Sequence, residues 1–231
     1  LVVIRSVFSQ AIKGKIVDEK YYPFGKEKVA IKFPDSSKIG LSIEEVRKLE
    51  DLQLEPNSQL NHTRNIWLFA FYFAGMRISD VLRLKWMDFQ DERLHYSMGK
   101  NDKSGSLKVP EKAMKILSQY EFSKRDKNDL VFPELKSLHN LNDKFMVQRK
   151  ISFAVSGLNK ILKKLSILAQ IEKPLTMHIA RHTFGNISGE KIPIQMLQKL
   201  YRHSSITTTI GYQANFTHKD ADDALDAVVG F

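Results

Sequence analysis

An uninterrupted apolar stretch at residues 66–76, IWLFAFYFAGM, constrains the fold of this chain more than any other feature. It is well short of the ~20 apolar residues that a membrane-spanning helix needs, and the glycine near its end is a helix-stop signal. Such a stretch is expected to form a helix buried in a hydrophobic core. With 42% hydrophobic and 27% charged residues in 231, the chain can supply that core.

Helical periodicity extends over most of the sequence. The longest amphipathic segment, residues 153–170, places leucine and isoleucine on one stripe. Ser42 and Glu45 form a capping box, which predicts that a helix begins after Ser42. Further helices are predicted at residues 60–75, 79–84, 111–120, 178–188, 193–201, 205–211 and 219–229.

One segment, residues 93–110, has the pattern of a β-hairpin: alternating apolar and polar residues on either side of a turn sequence. Residues 93–98, RLHYSM, lead to the turn-forming sequence NDKSG at 101–105, and residues 106–110, SLKVP, form the returning strand. The predicted fold class is therefore mainly α with a small antiparallel β-hairpin (α+β).

The chain is expected to have two parts. Residues 1–13 look like the end of an amphipathic helix, and a stretch rich in turn formers and charge follows up to Gly40. The main domain is expected to span residues 41–231. Because Leu1 is not an initiator methionine, we expect the numbered chain to begin inside a longer protein.

Net charge and cysteine content limit the kinds of partner and of catalytic site that this chain can have. The net charge of +10 points first to nucleic acid as the partner, although a solubility charge or an anionic membrane surface would give the same balance. The absence of cysteine excludes disulfides, thiolate zinc sites and cysteine nucleophiles, and it fits a reducing cytoplasm. No secretory signal and no phosphate-binding glycine loop is visible.

Arg77 is the first candidate site residue. It lies between the predicted helix stop at Gly75 and a predicted helix cap at Ser79, where backbone N–H groups also attract anions. A planar guanidinium can clamp two phosphoryl oxygens. The competing interpretation of this segment alone is a local ion pair between Arg77 and Asp80.

A second group follows near the end of the chain. His178 and Arg181 lie three residues apart, on one face of a predicted helix. His178 and His182 have the i, i+4 spacing of two metal ligands, but no H-E-x-x-H pattern accompanies them. A core or surface role is the ordinary alternative for either histidine.

His203 and Tyr212 are the last candidate site residues along the chain. They flank a short polar segment, SSITTTIG, that is predicted to be helical, so both side chains could face one site. A phenol has a pKa near ~10, so a tyrosine nucleophile needs nearby positive charge or a base. A lone tyrosine at a domain edge would be the simpler interpretation of Tyr212 alone.

The ordered motifs together resemble the catalytic domain of the tyrosine recombinases, the family that includes phage and mobile-element integrases. AGMRISDV at 74–81 is similar to the first arginine motif of that family, HIARHTFG at 178–185 to its His-x-x-Arg box, and HSSITTTIGY at 203–212 to its closing segment. Lys100, in the hairpin, occupies the family's lysine position.

This resemblance implies a metal-free phosphoryl transfer that needs no cofactor. It assigns six catalytic residues: Arg77, Lys100, His178, Arg181, His203 and Tyr212. The tyrosine would attack a DNA phosphodiester to give a 3′-phosphotyrosyl link, the arginines would stabilise the phosphoryl oxygens, and the lysine would protonate the leaving 5′-oxygen. The first histidine would help to take the tyrosine proton, and the second would hydrogen-bond the phosphate.

Two departures from the family pattern concern the site. Arg202 stands where the family commonly has glycine, so it could alter the turn before His203 or add a phosphate contact. Lys103, in the same hairpin, competes with Lys100 for the lysine position. The resemblance also makes residues 1–40 the last helix and linker of a preceding core-binding domain.

The implied partner is double-stranded DNA, with self-assembly from dimer to tetramer through the tail helix, a cytoplasmic, nucleoid-associated location and no membrane. Basic side chains expected to contact DNA are Lys103, Arg149, Lys150 and Arg202. A type IB-like topoisomerase, a catalytically silent DNA-binding module and a helical protein-interaction domain remain as alternatives. The HSSITTT sequence favours a recombinase.

Overall fold

The structure is a computed structural model that describes residues 1–25, 27–31, 39–97, 104–189 and 191–213. The chain divides into two compact units, Leu1–Ser37 and Lys38–Phe231. Among the described residues, none of the helices combines the length and the apolar composition that crossing a membrane requires.

The first unit contains helix α1, Val2–Lys13, and a short 3₁₀ helix, Glu19–Tyr21. The α1 helix has no buried residue. Inside this unit the Phe24 ring is buried and meets the edges of the Phe8 and Tyr22 rings, with centroids 6.5 and 5.7 Å away. Aromatic contact therefore supplies the small core of this unit.

The second unit is mostly helical. Its helices are α2, Ile43–Asp51; α3, Gln59–Tyr72; α4, Ile78–Val81; α5, Glu111–Ser118; α6, Lys144–Leu168; α7, Ile179–Ser188; α8, Ile194–Tyr201; and α9, Ile206–Gln213. Short 3₁₀ helices lie at Trp86–Asp88, Glu121–Ser123 and Pro133–Leu135. The prediction of a mainly helical α+β fold is confirmed.

The sheet is small and antiparallel. Its three strands are β1, Phe89–Gln90; β2, Arg93–Ser97; and β3, Ser104–Lys108, in the order β1-β2-β3. The predicted hairpin is β2 and β3, with Tyr96 opposite Gly105 and Ser97 opposite Ser104. The returning strand begins two residues earlier than predicted, since Ser104 and Gly105 pair instead of turning. Sequence reasoning did not predict β1, which has only two residues.

The apolar stretch at residues 66–76 lies at the centre of the core, as predicted. Trp67 and Phe69 on α3 are fully buried, and α3 packs against α4, α5, α6 and α7. The Trp67 indole donates a 3.0 Å hydrogen bond to the Thr176 carbonyl oxygen, which lies just before α7. The buried helix α3 thereby supports both segments that carry the arginine motifs.

Several predicted helix boundaries change, and the helix predicted at residues 219–229 lies outside the described residues. The capping box at Ser42 and Glu45 is present, so α2 begins where predicted. Helix α3 ends at Tyr72 instead of Gly75, and α4 begins at Ile78 with Arg77, not Ser79, at the N-cap. The long helix α6 begins after Asp143, whose side chain accepts from Met146 N–H; this polar cap outweighs the weaker periodicity before residue 153.

Candidate active site

Arg77 is positioned by a tight turn between α3 and α4. After α3, Ala74 and Gly75 have φ angles of +54° and +64°, and Met76 N–H donates to the carbonyl oxygens of Ala70 and Phe73 at 2.9 and 3.1 Å. The chain thus reverses and starts α4 directly at Arg77, which is half-buried. Arg77 lies at a helix N-terminus, where backbone N–H groups favour an anion.

Gly75 is required at this turn for two reasons. Its positive φ is one that residues with a Cβ adopt only at a cost. A Cβ at this position would also lie 2.7 Å from the Cα of Arg181. The two arginine motifs therefore meet backbone to backbone, which only a glycine permits.

Arg181 is a buried guanidinium held by main-chain carbonyls. It is 2% exposed, its Nη1 donates to the Gly75 carbonyl oxygen at 2.9 Å, and its Nη2 donates to the Tyr201 carbonyl oxygen at 3.1 Å. Burying a charge is expensive unless hydrogen bonds compensate it, and these two bonds offset part of that cost. They also fix the direction in which the guanidinium points.

Tyr201 and Arg181 bind each other reciprocally. The guanidinium carbon of Arg181 lies 3.7 Å from the centroid of the Tyr201 ring, and the Tyr201 hydroxyl donates to the Arg181 carbonyl oxygen. Tyr201 is fully buried. This double contact locks the end of α8 onto α7 and holds the next turn against the arginine.

That next turn presents His203. Its Nε2 lies 3.2 Å from Arg181 Nη2, and its Nδ1 lies 3.0 Å from the hydroxyl oxygen of Thr209. A guanidinium can only donate, so Nε2 is the acceptor and the ring proton is on Nδ1, which donates to Thr209. Thr209 is fully buried on α9, so its hydroxyl accepts this proton from a fixed position and helps to orient the His203 ring.

His178 lies at the N-cap of α7 and is exposed, one helical turn before Arg181. Its ring meets the edge of the His182 ring, with centroids 4.7 Å apart. Within the described residues, no group of three or more histidine, aspartate or glutamate side chains is arranged to hold a metal ion.

Arg202 ends helix α8 in the left-handed conformation, with φ 52° and ψ 38°. Its guanidinium carbon lies 4.2 Å from the centroid of the Tyr96 ring on β2, and its Nη1 lies 3.4 Å from the Tyr96 carbonyl oxygen. The turn before His203 thus keeps the backbone form that glycine favours, while the side chain reaches the hairpin.

The pKa of the Tyr96 hydroxyl shows which charged groups lie near Arg181 and His203. Burial, the largest cause, raises the pKa of Tyr96. The positive charges of Arg202, Arg181 and Arg77 lower this pKa, and the negative charge of Asp80 raises it further. All four charged groups therefore lie within electrostatic range of one phenol, and three of them are cations. The centre carries excess positive charge, as a phosphate site needs.

The structure brings part of the predicted set together. Arg77, Arg181, His203 and Arg202 converge on the region beside Tyr96. Arg149 and Lys150 lie on α6, where the Arg149 guanidinium lies 5.8 Å from the exposed Phe153 ring.

Three predicted residues cannot be compared in this way. Lys100 and Lys103 lie outside the described residues. The backbone of Tyr212 belongs to α9, but its side chain lies outside them too.

Sequence reasoning missed several residues that shape the centre: Tyr96, Gly105, Tyr201 and Thr209. Tyr201 had a weak signal, since it lies two residues before His203 and ends an amphipathic helix. Thr209 is one of three consecutive threonines, and nothing local distinguishes the buried one.

The sequence profile of the phage integrase family matches residues 41–219. The chain is 28% identical over 177 residues to a tyrosine recombinase XerD of Listeria innocua, covering 73% of this chain and 55% of that protein. It is 25% identical over 222 residues to the putative integrase/recombinase y4qK of Sinorhizobium fredii, covering 95% of this chain and 64% of that protein. The chain thus spans a little over half the length of these relatives.

Solved structures share the fold. The crystal structure of XerA recombinase superposes with a TM-score of 0.59 at 20% identity, covering 85% of this chain and 67% of that one. The Tn1549 transposon integrase in complex with transposon right end DNA superposes with a TM-score of 0.61 at 15% identity, covering 87% of this chain and 69% of that one.

Proposed function

The chain belongs to the phage integrase family, and on that premise we propose that it is a site-specific recombinase that cleaves and rejoins DNA strands. In this proposal the Tyr212 oxygen attacks a phosphodiester, a Tyr212–phosphorus bond forms, and the bond from phosphorus to the 5′-oxygen breaks. The 5′-hydroxyl of a partner strand then attacks that phosphorus and displaces Tyr212. Bond energy is retained in the intermediate, so no cofactor or nucleotide is consumed.

The observation that carries the proposal is the buried guanidinium of Arg181. Two carbonyl oxygens, those of Gly75 and Tyr201, orient it before any substrate arrives. Preorganised donors of this kind stabilise the charge that develops in the transition state without a reorganisation cost, an effect of about 3 kcal/mol for one such donor. Arg77, at the N-terminus of α4, would supply the second guanidinium.

Proton transfer would be divided among three residues. Lys100 would protonate the leaving 5′-oxygen, and His178 would take the proton of the Tyr212 phenol. His203 would hydrogen-bond the phosphate once its Nε2, which accepts from Arg181 Nη2 in the free protein, carries a proton. Arg202, Arg181 and Arg77 each oppose the rise that burial causes in the Tyr96 pKa, and the same positive charges would lower the pKa of a tyrosine nucleophile brought to the phosphate.

The partner proposed for this chain is double-stranded DNA. Solved structures with the same fold include the XerH site-specific recombinase bound to a difH substrate, at a TM-score of 0.58 and 20% identity, and the Tn1549 integrase in complex with transposon right end DNA. Arg149 and Lys150 on α6, together with Lys103, would contact the backbone of the duplex.

The remaining proposals concern organisation. Residues 1–40 would be the end of a core-binding domain, and residues 41–231 the catalytic domain. Residues 219–229 would mediate assembly from dimer to tetramer on DNA, and the protein would act at the nucleoid.

Covalent capture of DNA tests this function. Labelled duplexes tiled across the DNA that flanks the coding sequence, each with a nick that lets the released 5′ strand diffuse away, are incubated with the chain in EDTA. We expect a denaturation-resistant adduct that maps to Tyr212 and is lost in Tyr212→Phe, while non-covalent binding persists. Tyr21→Phe, an exposed tyrosine of the first unit, is the matched control.

Two results would count against the proposal. DNA binding without an adduct on any duplex would indicate a silent DNA-binding module. An adduct accompanied by relaxation of any supercoiled plasmid, without strand exchange, would indicate a topoisomerase.

A further inference from the structure

Arg202 occupies a backbone position that suits glycine. Its φ of 52° lies in the left-handed region, which residues with a Cβ enter only at a cost in free energy. It also directly precedes His203, which contacts Arg181. A residue that is strained at such a place is expected to have a side chain with a compensating role.

The side chain of Arg202 lies on one cross-strand pair of the hairpin. Tyr96 on β2 pairs with Gly105 on β3. The guanidinium lies over the Tyr96 ring at 4.2 Å, and a Cβ at position 105 would be 2.0 Å from its Nη2. The guanidinium therefore fits into a notch that exists because residue 105 is glycine.

This contact joins two parts of the site. The next pair toward the tip of the hairpin is Ser97 with Ser104, and the segment between these residues contains Lys100 and Lys103. We propose that Arg202 is a positioning residue. Its contact with the Tyr96–Gly105 pair holds the hairpin at a fixed position relative to Arg181 and His203, and this hairpin carries the general-acid lysine of the proposed function. This inference rests on the function proposed above, and it differs from a role for Arg202 as a DNA phosphate contact.

Two substitutions break the contact from opposite sides. Arg202→Gly removes the guanidinium and relieves the left-handed strain, so its melting temperature should equal or exceed that of the wild type. Gly105→Ala leaves Arg202 in place but displaces its guanidinium. A merely structural role for Arg202 therefore predicts no loss of activity in Arg202→Gly, whereas a positioning role predicts a loss in both variants.

The chemical step affected can be identified with two forms of the duplex that yields the wild-type adduct. One has the ordinary phosphodiester. The other has a 5′-bridging sulfur, whose phosphorus–sulfur bond breaks without protonation of the leaving group. We expect both variants to lower the single-turnover rate on the phosphodiester by about tenfold or more, as partial loss of general-acid catalysis requires. On the phosphorothiolate their rates should return to nearly the wild-type rate.

A double-mutant cycle tests whether the two variants act through one contact. In the Arg202→Gly background, Gly105→Ala should cause no further loss of rate. Hydrogen exchange gives a readout that needs no DNA: amides of β2 and β3 should exchange faster in both variants, while those of α3 should not change.

These experiments distinguish failure of the positioning role of Arg202 from failure of the proposed function. Equal losses on both DNA forms with a weaker salt dependence of binding would overturn the inference and make Arg202 a phosphate contact. Additive losses in the cycle, or unchanged exchange in the hairpin, would also overturn it, while the proposed function would stand. No adduct with the wild-type chain on either DNA would refute the function and this inference together.

Discussion

Arg181 Nη1 donates to the Gly75 carbonyl oxygen at 2.9 Å, although the two residues are 106 positions apart in sequence. The same two residues are also in backbone contact, since a Cβ on Gly75 would meet the Cα of Arg181 at 2.7 Å. The first and second arginine motifs thus depend on each other for their geometry.

Gly75→Ala is expected to destabilise the fold. The new Cβ would clash with the α7 backbone at a position whose φ is +64°, so the free energy of unfolding should fall by about 2–4 kcal/mol. Urea unfolding followed by circular dichroism measures the change. The matched control is Gly157→Ala on α6, where a Cβ meets nothing within 4 Å and helix propensity predicts a gain of up to about 1 kcal/mol. Equal stability of Gly75→Ala and the wild type would contradict the close approach.

Arg181→Lys is expected to lower stability as well as activity. A lysine ammonium cannot reach the Gly75 and Tyr201 carbonyl oxygens together, and each hydrogen bond to a charged group contributes about 1.5–3 kcal/mol. Guanidinium chloride unfolding should therefore show a loss of about 3 kcal/mol. Arg77→Lys, at a half-buried position, should reduce cleavage with a much smaller loss. If the two variants unfolded alike, the structural role of Arg181 would be wrong.

Thr209→Val is expected to disturb His203. The valine keeps the shape of the buried threonine but removes the acceptor of the Nδ1 proton, so the imidazole should lose this hydrogen bond and its fixed orientation. Chemical shifts of the Nδ1–H group in labelled histidine detect this change, and the cleavage rate should fall by about tenfold or more. Thr209→Ser, which restores the hydroxyl, should recover both readouts. An unchanged Nδ1–H signal in Thr209→Val would show that another group holds His203.

Two carboxyl groups are expected to affect stability with opposite signs as pH changes. Burial raises the pKa of Asp88, although the hydrogen bond from Lys85 N–H, at 2.8 Å, opposes this. A carboxyl whose pKa is raised on folding stabilises the fold at low pH, and that contribution is lost as pH rises through the folded pKa. Asp88→Asn should therefore gain stability relative to the wild type as pH rises above about 4, the ordinary pKa of an aspartate.

Glu44 provides the matched comparison. Its backbone hydrogen bond, followed by its bond with Ser42, lowers its pKa. A lowered pKa contributes stability above the unfolded value that is lost as pH falls, so Glu44→Gln should lose stability relative to the wild type as pH rises. Urea unfolding as a function of pH checks both signs. Parallel profiles for the two variants would contradict the different environments of these carboxyls.

Local sequence signals predicted the features that have local causes. The capping box at Ser42 and Glu45, the buried stretch at 66–76 and the alternation of β2 all act over a few residues, and the structure confirms them. The errors lie where a single polar contact or a short pairing decides the boundary. Asp143 extends α6 backward by capping it, and a two-residue strand such as β1 has no periodicity to detect.

The partners of the site residues could not be predicted in the same way. Tyr201, Thr209 and Gly105 matter because of what they touch across the fold, namely Arg181, His203 and Arg202. Each of these contacts depends on helix packing that the sequence does not specify locally.

The burial of Arg181 has a consequence for inactivated copies of this gene. The exposed His178 can change in such a copy without disturbing the hydrophobic core. Arg181 joins the ends of three segments and fills a position that no shorter side chain satisfies. Replacing Arg181 would therefore disturb folding, so an intact Arg181 shows that such a copy can still fold and does not by itself show that the copy is active.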